Sequence, residues 1–245
     1  MIADEGFYFG LGAFETIALI NGEPFFLDAH MNRLTKTMHF LNISYEKKDV
    51  FREMELFLAS QNNISGRKAL KITVSPHNIL FSLRENPYKE EDYLNGFLTG
   101  FSSIRRNETS PLTYHKTLNY GDNILAKRTA NCCDIQEPIF LNTQGELAEG
   151  AVTNLFFLQN GQIVAPPLSV GMLPGIVRDY IYSHYTVKEK RITPKDIPQF
   201  QEMFLTNSLL GIMPVRKLEN YQFSSMKNGL SISKQYWIQL FYLPQ

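Results

Sequence analysis

The sequence predicts a two-domain α+β protein: a small N-terminal α+β domain over residues 1–103, an interdomain linker over 104–112, and a larger, strand-rich domain over 113–245. Three observations lead there. A strand-like run meets Asn21-Gly22 near the start, and two stretches of helical periodicity follow it. A polar, charged stretch from Ser102 to Leu112, containing Ser110-Pro111, then interrupts the pattern. Beyond it, short apolar runs separated by turn signals dominate.

Ala13–Ile20, Asn21-Gly22 and Pro24–Leu27 form the clearest local signal, since Asn-Gly between strand-like runs favours a type I′ hairpin turn. Asp28 is placed to cap a helix whose Met31, Leu34, Met38 and Leu41 share one face. A second helix is expected from Asp49, with Val50, Met54, Phe57 and Leu58 apolar. Lys68–Ser75 and Phe97–Phe101 read as strands. After the linker, a helix is expected over Asn123–Ile135. Strands are expected at Pro138–Asn142, Glu146–Glu149, Thr153–Leu158, Gln162–Ala165, Val187–Ile192 and Glu202–Thr206. Helices are expected at Ile176–Tyr185 and Leu230–Tyr242.

The chain has 245 residues, 44% of them hydrophobic, which suits a packed interior and argues against disorder. Lys plus Arg equals Asp plus Glu, 24 each, so charge gives no case for nucleic acid or an anionic membrane as partner. No run approaches the roughly 18 apolar residues of a membrane span, and the acidic start does not read as a signal peptide. Cys132 and Cys133 are adjacent and read as reduced, partly buried thiols of a cytoplasmic protein; no further Cys or His cluster supports a metal site.

Several residues could carry chemistry. Lys116 stands between the linker and a helix; a lysine there becomes a nucleophile only if its neighbours tune it. Glu149 precedes small residues and an apolar strand, where a flat ligand could approach the backbone. Gly175 opens a helix whose first N–H groups point outward, a natural phosphate seat. His30 and Arg33 are three apart on one helix face, and an arginine fork suits a phosphate. Thr206-Asn207-Ser208 follows a strand end and offers hydroxyl and amide groups. Read singly, each of these is ordinary surface, turn or capping chemistry.

Together, in order, they resemble the class IV pyridoxal-phosphate enzymes, which include branched-chain and D-amino-acid aminotransferases and aminodeoxychorismate lyases. Gly10-Leu11-Gly12-Ala13-Phe14-Glu15-Thr16 is similar to the family's Gly-x-Gly-x-Phe-Glu-Thr, and His30–Leu34 to its His-x-x-Arg-Leu. Lys116–Tyr120 resembles Lys-Ser-Leu-Asn-Tyr. Glu149–Phe156 resembles Glu-Gly-x-x-x-Asn-Leu-Phe, and Gly175–Arg178 resembles Gly-Ile-x-Arg. The resemblance runs from about Phe7 to Val215. Two departures stand out. The first domain is expected to be short by one edge strand, and Ala165 replaces a Thr of the family pattern.

The resemblance implies the D-amino-acid aminotransferase-like fold (fold type IV of these enzymes), a homodimer, and pyridoxal 5'-phosphate bound between the domains. Lys116 would bond the cofactor aldehyde, and Glu149 would meet its ring nitrogen. Arg33, the Ile176 and Val177 amides and Ser208 would hold the phosphate. Tyr120 and Asn154 would lie at the cofactor, and Leu173 would pack on its ring. Within the family, Thr206-Asn207-Ser208-Leu209-Leu210-Gly211-Ile212-Met213-Pro214-Val215 is similar to the lyases' Thr-Asn-Ser-Leu-x-Gly-x-x-Pro-Val, and Thr16 to a lyase threonine beside the substrate. The Arg-x-His loop of D-amino-acid aminotransferases is not evident between Val74 and Arg84. The expected activity is therefore that of an aminodeoxychorismate lyase acting on a small amino-carboxylate substrate in folate biosynthesis, with Lys116 and Thr16 catalytic. The alternatives are a branched-chain or D-amino-acid aminotransferase, or an inactive small-molecule binding protein. Arg84, Arg105 and Arg106 are candidates for the substrate carboxylates.

Overall fold

A computed structural model describes residues 2–242; Met1 and residues 243–245, which the expected domains include, lie outside the described residues. The chain divides into two compact units, Met1–Pro87 with His115–Tyr120, and Tyr88–Tyr114 with Gly121–Gln245.

The first unit begins with α1 (Glu5–Phe9), capped by the Asp4 side chain. Then come β1 (Ala13–Ile20), β2 (Glu23–Pro24), α2 (Leu27–Phe40), α3 (Lys47–Ala59), β3 (Arg67–Ser75) and β4 (Asn78–Glu85). The strands form an antiparallel sheet in the order β2-β1-β3-β4. Asn21 and Gly22 have φ of 51° and 92°, as a type I′ turn requires. Alternation along the strands sends Ala13, Ile17 and Leu19 of β1 and Leu70, Ile72 and Val74 of β3 to one face. There they form a core with Met31, Leu34 and Met38 of α2 and Val50 and Met54 of α3. Burying each large apolar side chain contributes about 1.5–3 kcal/mol, so this cluster holds the two helices on the sheet. Asp28 does not cap α2. Phe26 holds the N-cap position with φ of 54° and no side-chain cap bond. Asp28 lies in the first turn, where its charge meets the positive end of the helix dipole.

The second unit contains α4 (Glu90–Asn95), β5 (Phe97–Arg106), α5 (Gly121–Asn131), β6 (Glu137–Asn142), β7 (Leu147–Gly150), β8 (Asn154–Gln159) and β9 (Gln162–Ala165). It continues through α6 (Ile176–His184), β10 (Val187–Glu189), β11 (Glu202–Asn207), β12 (Gly211–Leu218), β13 (Tyr221–Gln222) and α7 (Lys227–Tyr242). Its sheet runs β10-β9-β8-β11-β12-β5-β6-β7, with β13 beside β12. β5 is parallel to both neighbours, β12 and β6.

Two expectations change here. The stretch read as a linker is partly strand: β5 continues to Arg106, with Arg105 opposite Leu141 and Arg106 opposite Asn142. Its polar residues alternate with half-buried ones along an ordered strand, and the first unit ends at Pro87 rather than near residue 103. Cys132 and Cys133 are exposed rather than partly buried, because α5 has already ended at Asn131. Among the described residues, no helix is long and apolar enough to cross a membrane.

Candidate active site

In the first unit the chemistry gathers on β1 and the segment that joins it. Lys116 belongs to His115–Tyr120, which lies along the start of β1. Phe14 N–H donates to the Lys116 carbonyl at 3.0 Å, and Leu118 N–H donates to the Gly12 carbonyl at 2.8 Å. Ala13 and Thr117 form an antiparallel bridge. A Cβ on Gly12 would stand 2.6 Å from Leu118 Cδ1 and 2.9 Å from the Val74 carbonyl, so only glycine lets the segment approach this closely. The Lys116 Nζ lies 4.5 Å from the centroid of Phe14 and 5.6 Å from that of Tyr120. The two rings meet edge to face at 5.1 Å. Thr16, half-buried, is two residues beyond Phe14 on β1, so its hydroxyl is on the same face as that ring.

Glu15 points the other way, into the core. It is fully buried between His30 and Arg33 of α2. His30 Nδ1 lies 2.7 Å from Glu15 Oε2; Arg33 donates through Nε to Oε1 and through Nη2 to Oε2, each at 2.7 Å. Burial alone would raise the Glu15 pKa. The Arg33 guanidinium and His30 outweigh it and hold the carboxyl far below the usual carboxylate range. Burial also lowers the pKa of His30, against the pull of Glu15, so the ring is neutral at pH 7. Because an ionised Glu15 can only accept, Nδ1 carries the proton and Nε2 is an acceptor. Nε2 is buried with no hydrogen-bond partner among the described residues. Arg33 is thus anchored on one edge of its fork by Glu15, a partner the motif reading did not assign. The signal was an acid at a core-facing position of an apolar strand.

In the second unit, Glu149 is the third residue of β7, at 6% exposure. Its Oε2 accepts the Leu173 N–H at 3.0 Å, and its Oε1 is 2.9 Å from Arg106 Nε. That Nε–H is not aimed well enough to make a hydrogen bond, so the contact is chiefly an ion pair. The Arg106 guanidinium also covers the Phe140 ring at 4.1 Å. Arg106 was a candidate for substrate carboxylates; the structure places it on Glu149 instead. Arg84 and Arg105 are both exposed.

Asn154 Nδ2 donates to the Leu173 carbonyl at 2.9 Å. Glu149 and Asn154 therefore fix Leu173 by its N–H and its C=O, just ahead of α6. Gly175 is the N-cap of α6 and no side chain caps it. The first amides of a helix have no intrahelical acceptor, which leaves Ile176 and Val177 N–H directed outward. Ser208 follows β11 and is half-buried; Thr206, two residues earlier, has a buried Oγ1 with no partner among the described residues. Asn207 fixes this turn, accepting from the Leu209 and Leu210 N–H at 2.9 and 2.8 Å and donating to the Val152 carbonyl at 3.1 Å. The turn between Glu149 and Asn154 has a further clamp that sequence reading missed. Buried Glu137 accepts from Val152 N–H at 2.7 Å and Thr153 Oγ1 at 3.0 Å, and Lys127 pairs with it at 3.0 Å.

A Cβ added at Gly175 would stand 1.9 Å from Asn154 Oδ1. Gly175→Ala should therefore displace Asn154 and cost about 1–3 kcal/mol of stability, as overpacking does. Urea unfolding of the two proteins checks this; an unchanged midpoint would show that the loop yields without strain.

Comparison with known proteins gives these groups a context. The family described as amino-transferase class IV matches residues 12–218. The chain belongs to the class IV aminotransferases. It is 28% identical over 254 residues to aminodeoxychorismate lyase of Bacillus subtilis (strain 168), covering 95% of this chain and 86% of that one. It is 26% identical over 263 residues to D-alanine aminotransferase of Listeria monocytogenes serotype 4b (strain F2365), covering 97% and 89%. Among solved structures, 4-amino-4-deoxychorismate lyase from Pseudomonas aeruginosa superposes with a TM-score of 0.82 at 24% identity, covering 98% of this chain and 93% of that one. The mixed α+β, strand-rich architecture is that of class IV aminotransferase structures. Both transaminating and lyase members are among the relatives, so fold and family alone leave the reaction open.

Proposed function

We propose that the protein is a pyridoxal 5'-phosphate-dependent 4-amino-4-deoxychorismate lyase, releasing pyruvate and 4-aminobenzoate. The observation that carries this reading is the placement of the Lys116 amine over the Phe14 ring, with the Thr16 hydroxyl on the same strand face. The lyase-like Thr206–Val215 segment and the Bacillus subtilis relative support the choice of reaction.

The residues present fit the cofactor. Lys116 supplies an amine for the aldehyde. Glu149, beside Arg106, supplies a carboxylate for the ring nitrogen. The Ile176 and Val177 amides, with the Thr206 hydroxyl, which has no partner among the described residues, and the neighbouring Ser208, supply phosphate donors. Arg33 adds a guanidinium oriented by Glu15. When bound, pyridoxal phosphate supplies an electron sink for the carbon that bears the substrate amine. The Lys116 amine would take the proton from the substrate ring and return it to the departing three-carbon group, and Thr16 would hold the substrate beside it. Pyruvate departs as the ring becomes aromatic, so no acceptor substrate is consumed.

That last point is the test. Purified protein with the cofactor and aminodeoxychorismate, and no 2-oxo acid, should form pyruvate and 4-aminobenzoate in equal amounts. Pyruvate is read by coupled reduction and 4-aminobenzoate by fluorescence. Turnover only of D-alanine or a branched-chain amino acid with 2-oxoglutarate would replace the lyase reading with aminotransfer.

A further inference from the structure

Three elements of the first unit hold the segment that bears Lys116, and each holds a different part of it. β1 takes the middle, through the main-chain bonds at Lys116 and Leu118. α1 takes the far end, where Asn119 Nδ2 donates to the Phe9 and Gly10 carbonyls, each at 3.2 Å. The near end is anchored by a ring. The His115 imidazole lies on the ring of Phe40, the last residue of α2, with centroids 4.0 Å apart and 6° between the planes. Among the described residues this imidazole makes no hydrogen bond, which leaves the stack as its specific contact.

His115 and Lys116 are neighbours that face different ways. α2 covers the core face of the sheet, where Met31, Leu34 and Met38 meet Ala13 and Ile17 of β1. Lys116 Nζ lies over Phe14, which alternation along β1 puts on the other face. The imidazole is thus turned toward α2 while the amine is turned toward Phe14. Burial lowers the pKa of His115, so the ring is neutral at pH 7. A neutral imidazole offers Phe40 an aromatic face and no charge, a contact that another flat ring can also make. The link from this stack to the amine is the main chain. A lysine stem is long and flexible, so where its amine dwells depends on how firmly its Cα is held. The ladder with β1 holds that Cα from one side, and residue 115 holds it from the other.

We propose that His115 is a positioning residue for Lys116: its stack on Phe40 docks the near end of the segment, so that the amine meets the cofactor aldehyde from a fixed place. The proposal rests on Lys116 being the amine that bonds pyridoxal phosphate, and not on the choice between lyase and aminotransferase.

The full chain, stripped of cofactor with hydroxylamine and returned to pyridoxal phosphate, supplies the test. The rate of covalent capture is followed by visible absorbance, and its site by borohydride reduction and peptide mass. All proteins are compared well below their urea midpoints, where a loss of global stability alone does not alter the rate. Capture should be about three- to tenfold slower in His115→Ala and in Phe40→Ala, the span expected of one aromatic pair. The double variant should be no slower than the slower single one, because both changes remove the same contact. His115→Phe should capture within about twofold of the parent rate, since it keeps the stack. A parent-like rate in His115→Ala would overturn the proposal, whatever its urea midpoint. So would a rate in His115→Phe as slow as in His115→Ala, which would make the ring nitrogens, and not the stack, the acting feature. A parent protein that captures no cofactor at residue 116 would sink both the proposal and the assignment beneath it. Capture with the expected ranking, but no pyruvate from aminodeoxychorismate, would remove the lyase reading and leave the role of His115 in place.

Discussion

Lys116→Ala should abolish covalent capture of pyridoxal phosphate and reduce turnover by at least about 10³-fold, since the side chain serves both as aldehyde partner and as proton carrier. The variant should remain folded. The residue is half-buried, and its amine lies against the Phe14 and Tyr120 rings. Cation–π contacts of this kind are worth about 0.5–2 kcal/mol, far less than a domain's stability. The backbone bonds that hold the segment on β1, from Phe14 N–H to the Lys116 carbonyl and from Leu118 N–H to the Gly12 carbonyl, do not depend on the side chain. Borohydride reduction followed by peptide mass spectrometry is the direct measurement. The parent protein should carry the cofactor mass on the peptide containing residue 116, and the variant should carry none. A label on any other lysine, or full turnover by the variant, would remove the residue from the mechanism.

Glu15→Gln should destabilise the protein by about 3–5 kcal/mol at pH 7, the usual result of removing one member of a buried ion pair. Arg33 would keep its charge with its side chain only 13% exposed, and the replacement could not accept from His30 and both Arg33 nitrogens as a carboxylate does. The pH dependence follows from the sign of the shift. The folded carboxyl titrates far below its ordinary value of 4.5, so its stabilising contribution is complete above that value. It is lost progressively as pH falls below 4.5 and through the folded pKa. His30, neutral when buried, adds to the loss on acidification, because charging it favours the unfolded chain. The difference in urea midpoint between parent and variant should therefore be widest near neutrality and narrow below pH 4.5. A constant difference from pH 7 to pH 3 would mean that the ion pair is not its origin.

Much of the first unit was legible because local and tertiary preferences agree there. Asn21-Gly22 demands positive φ, and the helical spacing of Met31, Leu34 and Met38 matches the face that is buried. β4 was not read, although Ile79, Phe81 and Leu83 face the core. Leu80 on the other face breaks the simple apolar–polar alternation. β12 was not read as a strand, since Gly211 and Pro214 are the residue types that punctuate loops. In the fold Pro214 lies opposite Phe204, and the pairing with β5 begins at Val215, where the register also shifts.

The charged residues of β5 looked like a linker because strand partners from β6 and β12 are invisible in a local window. For the site, the motifs named Lys116, Glu149 and Arg33. They could not give the contacts of Glu15, Arg106 or Glu137, which arise only when distant segments bring a second charge within reach. Arg106 shows this most plainly. Its sequence neighbourhood is polar and suggests solvent, whereas its position opposite Asn142 brings it to Glu149.

Neither unit is a single stretch of chain. The strand start that carries Gly12 and Ala13 is met by residues made roughly a hundred positions later; Asn119, for example, reaches the Phe9 carbonyl across a separation of 110 residues. A nascent chain emerging from the ribosome can form the hairpin and both helices early, but the stretch bearing the reactive amine joins them only after β5 has been synthesised. The first 87 residues expressed alone would lack that stretch altogether, so the two halves of this molecule cannot be separated by one cut without taking the lysine away from the strand that supports it.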